Sequence, residues 1–275
     1  MRVAAIIVIT IFGLLLISAL AFFFYENQNP ITNNSYPFYA IPAGPEANLP
    51  EVSTNGVWSL SPILMYHHIR INPSPDSQLE QSLSLSPVKF EEQIGYLKSL
   101  GFSTINLDEL FTKREARKFI ITFDDGYKDI IENALPILQK FQYSATVFVI
   151  VNDVGKTRYL TWDDLVALKN AGWSIGSHTL SHPNLTNASL DKASKEIFQS
   201  KSQLESRLGI TASFFCYPSG QYNDEIIKLV EDAGYLGAVT TKVGRYNYQS
   251  KNYELTRVRV RGTDTLDKFK ENLGF

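Results

Sequence analysis

Side chains that cross-link or bind metals are scarce in this chain. Among 275 residues there is one cysteine, Cys216, and there are four histidines. A single cysteine excludes an intrachain disulfide and leaves the redox compartment open. The formal net charge is only −2, which excludes nucleic-acid binding through a basic surface. No internal repeat is present, and nothing in the composition calls for an obligate protein partner. Apolar residues are plentiful, at 44% of the chain with 12% aromatic. That suffices for one large domain with a real core, or for two small ones.

Charge is also missing from Val3 to Tyr25, with Arg2 just before the run. About 20 apolar residues span a bilayer as a helix, and Arg2 favours the N-terminus inside and the body outside. Ala19-Leu20-Ala21 resembles a signal-peptidase site, so a cleaved signal peptide is the rival. The run continues through Phe22, Phe23 and Phe24, which is long for a signal peptide and favours an uncleaved transmembrane anchor over residues 1–25. A buried core helix is the third alternative, but a helix apolar all round at the very N-terminus is rarely that. Residues 26–57 hold five prolines, several asparagines and no apolar period, and read as an extended linker. The globular part runs from Trp58 to Phe275.

Within it, short apolar strands alternate with helical stretches. Strands are expected at Pro62–Tyr66, Ser103–Asn106, Phe119–Phe123, Ala145–Val151, Trp173–Gly176, Ser213–Tyr217, Gly237–Thr240 and Leu255–Val260. Ser86-Pro87 opens a helix that Gly101 stops. Further helices are expected at Leu107–Phe111, Thr161–Ala171, Leu190–Leu208 and Asp224–Ala233. A helix over Tyr127–Phe141 should break at Pro136. The alternation implies a parallel sheet flanked by helices, open or closed into a barrel.

Phe119 to Phe123 runs into Asp124-Asp125-Gly126. Neighbouring residues on a strand point to opposite faces, so both acids can serve one site only where the strand ends and the chain bends. Gly126 supplies that bend. An ordinary turn with Asp capping the next helix is the plain alternative. His178 and His182 stand four residues apart just after another strand. Two neutral imidazoles and a carboxylate make three protein ligands for a divalent metal with a position left for water. Asp125 is then the third ligand and Asp124 the base that takes the proton of that water. Unrelated surface histidines are the alternative. His67, at the end of the first strand, is the candidate acid for an amide's leaving nitrogen, and a packed histidine is its alternative. His68 points elsewhere if this stretch is a strand. If His67 is the acid, its imidazole should face the Asp124 metal site from the opposite side, with room between them for an acetamido group.

Thr122-Phe123-Asp124-Asp125-Gly126 and His178-x-x-x-His182 resemble the first two motifs of the polysaccharide deacetylases with the NodB-homology domain, carbohydrate esterase family 4. The resemblance covers Pro62 to Phe275. It implies a distorted (β/α) barrel, a divalent metal that is usually zinc, and removal of acetyl groups from N-acetylated sugars. It makes Asp124 the base and Asp125, His178 and His182 the ligands. Ser213 to Gly220 is similar to the third motif, where the backbone N–H of the residue before the proline, here Tyr217, helps hold the oxyanion. The usual arginine of that motif is absent. So are the late histidine and the aspartate–tryptophan motif, since no histidine follows His182 and no tryptophan follows Trp173. In the poly-N-acetylglucosamine deacetylase branch a Met-Tyr-His-like segment supplies the acid, and Met65-Tyr66-His67 resembles it. The branch's Leu-x-Arg-like strand is resembled by Leu255-Thr256-Arg257, which makes Arg257 a candidate to brace Asp124. The expected enzyme is membrane-anchored and extracytoplasmic, or secreted if the N-terminal segment is cleaved. It acts on a GlcNAc polymer: poly-N-acetylglucosamine, peptidoglycan or chitin-like. A non-catalytic carbohydrate-binding domain and a metal-dependent hydrolase of another amide remain as rivals. Tyr217, Tyr222 and Phe215 suit stacking on sugar rings, or belong to the core.

Overall fold

Helix starts in this chain are written in polar side chains. Ser86 caps α2 (Pro87–Ser99) by accepting from the Lys89 N–H, and Pro87 occupies the first turn. Thr161 and Asp164 form a reciprocal capping box at α4 (Trp162–Asn170). Ser189, Asn223 and Thr265 do the same work for α5 (Leu190–Leu208), α6 (Asp224–Asp232) and α7 (Leu266–Leu273). Each such cap stabilises its helix by about 1 kcal/mol. Gly209 ends α5 at φ 59°, a left-handed position that glycine accepts without steric cost.

The computed structural model describes residues 62–74, 76–113, 117–245 and 251–275. The transmembrane anchor (1–25) and the linker (26–57) expected from the sequence lie outside the described residues. Among the described residues no helix is long and apolar enough to cross a membrane.

The strands are β1 (Ile63–Tyr66), β2 (His68–Ile69), β3 (Ser84–Leu85), β4 (Ser103–Thr104), β5 (Lys118–Phe123), β6 (Thr146–Val149), β7 (Ser174–Ser177), β8 (Phe214–Cys216), β9 (Gly237–Val243) and β10 (Leu255–Arg259). β5 to β10 pair in sequence order, and β1 pairs with both β10 and β5. That closes a seven-stranded barrel in which every pair is parallel. β4 adds to the start of β5, and β2 and β3 form a separate pair. Parallel neighbours require crossovers, which the helices supply.

Strand alternation sorts the side chains into an inner and an outer layer. Ile63, Ile120, Phe148, Phe214, Cys216, Val239 and Leu255 pack together inside the barrel. Leu64, Tyr66, Ile121, Phe123 and Val258 face the helices. Gly176 makes the interior fit: a Cβ there would lie 2.5 Å from the Phe148 ring.

Several details differ from the sequence reading. The interruption in Tyr127–Phe141 is a π-helical turn (Ile130–Ala134) that passes into α3 (Leu135–Phe141). Pro136 sits in the first turn of α3, where its missing N–H costs least. The short helix expected at Leu107–Phe111 is a single 3₁₀ turn, Leu107–Glu109. Two helices were not anticipated: α1 (Gln78–Leu83) and α7.

Candidate active site

The barrel delivers its chemistry at the C-terminal ends of its strands, the face that carries the active site in (β/α) barrels generally. β5 ends at Phe123, and the next two residues diverge. Asp124 continues the inward alternation of Ile120 and Thr122. Asp125 adopts φ 72° and Gly126 φ 77°. Two left-handed residues, rather than Gly126 alone, make the bend that was expected. Aspartate tolerates that conformation better than most side chains do.

Asp124 is held from inside the barrel. Arg257 Nη1 donates to its Oδ1 at 2.7 Å and Nη2 to its Oδ2 at 2.7 Å. The guanidinium is fully buried. Its remaining contacts run from Nε to the Thr240 carbonyl (2.9 Å), Nη1 to Thr122 Oγ1 (3.0 Å) and Nη2 to Cys216 Sγ (3.5 Å). Burial opposes the charged form of Asp124. The charge and hydrogen bonds of Arg257 outweigh it, with smaller help from His67 and His178, and hold the carboxyl below its usual range.

Asp125 turns the other way, toward the loop after β7. Its Oδ1 lies 3.3 Å from His178 Nε2 and 3.7 Å from His182 Nε2. The two rings meet edge-on with centroids 4.6 Å apart. A tetrahedral ion with bonds of about 2.0–2.1 Å separates its ligand atoms by about 3.3–3.4 Å. The Asp125–histidine separations are edges of that size, and all three ligand atoms lie within 4.8 Å of one another. His178 Nδ1 contacts the Cys216 carbonyl at 2.7 Å. A carbonyl only accepts, so Nδ1 carries a proton there; burial opposes the charged ring, but Cys216 and Asp125 outweigh it and raise the His178 pKa, so a bound cation would have to displace the Nε2 proton to take its lone pair. Burial, together with the charge of His178, lowers the pKa of His182 against the pull of Asp125 and Asp124. It is therefore neutral at pH 7, as a ligand must be. These donors fit a divalent cation. Asp124, His178 and Cys216 also cluster, but each oxygen of Asp124 accepts from the Arg257 fork, and a second cation beside that guanidinium is disfavoured.

The His178–His182 loop is itself held. Glu196 of α5 is buried, with Oε2 accepting from the Leu180 N–H (2.9 Å) and Ser181 N–H (2.8 Å) and Oε1 from Ser181 Oγ (2.6 Å). The His182 N–H donates to Thr179 Oγ1 (2.9 Å). Glu196 escaped the sequence reading. The available signal was a carboxylate on the same helical face as Ala193 and Ile197.

His67 follows β1 on the inward side, where Nε2 stands 4.0 Å from Asp124 Oδ2. Burial lowers its pKa, partly offset by Asp124 and Asp125, while Arg257 and Arg259 push in the same direction as burial. His68 faces away: its Nδ1 meets Asp129 Oδ2 at 2.6 Å and its ring stacks on Tyr127 at 3.6 Å. At 4.0 Å nothing fits between His67 and Asp124 along the line joining them. An amide reached by both groups would therefore have to lie across them.

The Tyr217 side chain takes the core alternative. Inward Cys216 puts its two neighbours outward, so Phe215 and Tyr217 are buried with Tyr235, Ile226 and Val230 against the helices. Tyr222 stacks on Tyr217 at 4.8 Å and donates to Glu254. Phe215 and Tyr217 are therefore core, while Tyr222 is half-buried against them. The Tyr217 N–H donates to the Val239 carbonyl at 3.3 Å, within the β8–β9 pairing.

Residues 112–238 match the family model described as polysaccharide deacetylase. YxkH of Bacillus subtilis, whose name places it among polysaccharide deacetylases, is 33% identical over 205 residues, 72% of this chain and 71% of that protein. The chain belongs to the polysaccharide deacetylase family. The poly-β-1,6-N-acetyl-D-glucosamine N-deacetylase of Staphylococcus epidermidis is 27% identical over 96% of this chain and 98% of its own length. The Streptococcus pyogenes deacetylase PplD, solved in complex with acetate, superimposes with a TM-score of 0.73 at 29% identity, over 79% of this chain and all of that one. The fold is thus the α/β barrel of the NodB type, and the chain is a polysaccharide N-deacetylase.

Proposed function

We propose that this enzyme removes N-acetyl groups from a GlcNAc-containing polysaccharide of the poly-N-acetylglucosamine kind, with a divalent metal, zinc by preference, held by Asp125, His178 and His182. One observation carries the reading: a base braced by a buried arginine and a histidine open to the same space stand beside a two-histidine, one-carboxylate donor set. Such a metal, when bound, polarises a carbonyl and lowers the pKa of water from about 15.7 to about 7. Nitrogen and oxygen donors in this number suit zinc.

The protein's own groups divide the remaining work. Asp124 is ionised and oriented by Arg257, and each of its oxygens keeps a lone pair for the proton of the attacking water. His67 lies across the mouth, where it can protonate the leaving nitrogen. The Tyr217 amide serves the oxyanion only if its long bond to Val239 is shared or released. The near full-length likeness to the staphylococcal enzyme supports the choice of polymer. It also supports an extracytoplasmic domain; a tether at residues 1–25 rests on the uncharged apolar run alone. Acetate release from poly-β-1,6-N-acetylglucosamine, peptidoglycan and chitin oligomers tests the proposal. We expect turnover on the first, loss on chelation and recovery with zinc. No release from any of the three, with metal bound, overturns it.

A further inference from the structure

We infer that Glu196 is a positioning residue for the His178–His182 loop and that its effect reaches the site through His182. The inference rests on the metal reading above. Glu196 lies on the buried face of α5 beside Ala193, Ile197 and Ser200 and is 6% exposed. Among the described residues, all three of its hydrogen bonds go to Leu180 and Ser181, inside the His178-x-x-x-His182 loop.

That loop needs holding. Thr179 sits at φ 68° and His182 at φ 56°. Left-handed conformations of such residues persist only where their surroundings over-determine them. Thr179 is β-branched, which makes its conformation the more unusual. The Val151 and Asn152 N–H groups hold the Thr179 and Leu180 carbonyls, and Glu196 grips the N–H groups of the two residues between the strained positions, so that together they fix the turn that brings the second imidazole back over the first.

The two histidines depend on this grip unequally. His178 is anchored by its own bond to the Cys216 carbonyl, and its side chain is 3% exposed. The His182 side chain is 33% exposed, and among the described residues its backbone is tied only within the loop. Loosening the loop therefore moves His182 first. Groups that orient metal ligands typically cost about 10–100-fold in affinity when lost.

The test uses the full chain, purified in detergent, stripped of metal, and titrated with zinc against a chromophoric chelator. Glu196→Gln removes the charge that assists all three bonds and cannot accept from both the two N–H groups and the Ser181 hydroxyl as the carboxylate does. We expect it to bind zinc about 10–100-fold more weakly than wild type, and its cobalt form to show an altered ligand-field spectrum. Coupling gives the sharper result. His182→Ala and the His182→Ala/Glu196→Gln double variant should bind alike, because Glu196 acts through the missing side chain. Wild-type affinity in Glu196→Gln overturns the inference, as does a double variant that loses the full product of the two single effects. If Glu196→Gln does not fold, Ser181→Ala removes only the Oγ bond and should weaken zinc several-fold; unchanged affinity there counts against the inference. A wild-type chain that binds no zinc defeats the metal reading and this inference together. Equal binding by wild type and variant defeats this inference alone.

Discussion

Replacing Arg257 by methionine tests the electrostatic centre of the barrel. The arginine and Asp124 share two 2.7 Å charge-assisted bonds, with side chains 0% and 4% exposed. Removing one partner of a buried pair leaves an uncompensated charge and costs about 3–5 kcal/mol. At about 2–4 °C per kcal/mol for a domain of 150–250 residues, Arg257→Met should melt about 6–20 °C below wild type at pH 7. The loss carries a pH signature. In wild type the folded-state pKa of Asp124 is depressed. The stability it contributes is present above the unfolded value of about 3.9 and is lost as pH falls through the folded value. In the variant, burial acts without Arg257 and raises the folded pKa above the unfolded one. The destabilisation is then greatest at neutral pH, shrinks as pH drops through the variant's raised folded value, and vanishes only below the depressed folded value of wild type. Urea unfolding at pH 7 and pH 4 reads this directly. The acid limb of kcat/KM should also move to higher pH, since a base with a raised pKa protonates sooner. Arg257→Lys keeps the charge but not the fork, and should fall between the two. Equal stability of wild type and Arg257→Met at pH 7, with an unmoved acid limb, would refute the brace.

Three further outcomes are expected. His67→Ala should keep its metal and lose about 10²–10⁴-fold in acetate release, while His68→Ala, whose ring is tied to Asp129 and Tyr127, should cost far less turnover; equal losses at matched occupancy would remove His67 from the acid role. His178→Ala and His182→Ala should each abolish tight zinc binding, and stoichiometric metal retained in the double variant would place the ligands elsewhere. A chain begun near Trp58 should fold and stay soluble, whereas precipitation of it beside a soluble chain begun at Glu26 would make residues 26–57 part of the domain.

Local chemistry was legible in the sequence wherever the deciding partners are close along the chain. Ser86-Pro87 and Gly209 announce helix ends with nothing but their immediate neighbours. The inward path of His67 and the outward path of His68 follow from β1 alternation alone. The same rule, applied to β8, would have placed Tyr217 and Phe215 outside, since Cys216 between them faces in. The approach of Arg257 to Asp124 joins residues 133 apart, and only resemblance suggested it. Glu196 was hidden for a different reason. A lone acid on an apolar helical face reads as surface until its three donors are seen. α7 shows Phe269 and Leu273 one turn apart behind a Thr265 cap, a short pattern that was passed over.

The left-handed residues explain how a parallel barrel brings consecutive side chains to one site. Of the non-glycine residues with positive φ, Asp125, Thr179, His182 and Ser219 lie in loops that follow β5, β7 and β8. A strand presents alternate residues inward, so Asp125, left in the strand, would point at the helices and not at the histidines. Turning its backbone to φ 72° brings its carboxylate to His178 and His182, while Asp124 stays in the Arg257 fork. Each acid thus acquires its own cations or donors, with the guanidinium on one side and the imidazoles on the other. Two adjacent aspartates of identical chemistry are thereby placed in two different environments, the separation on which the proposed roles of base and ligand rest. The backbone strain that separates them persists because both carboxylates and both loops are held from more than one side.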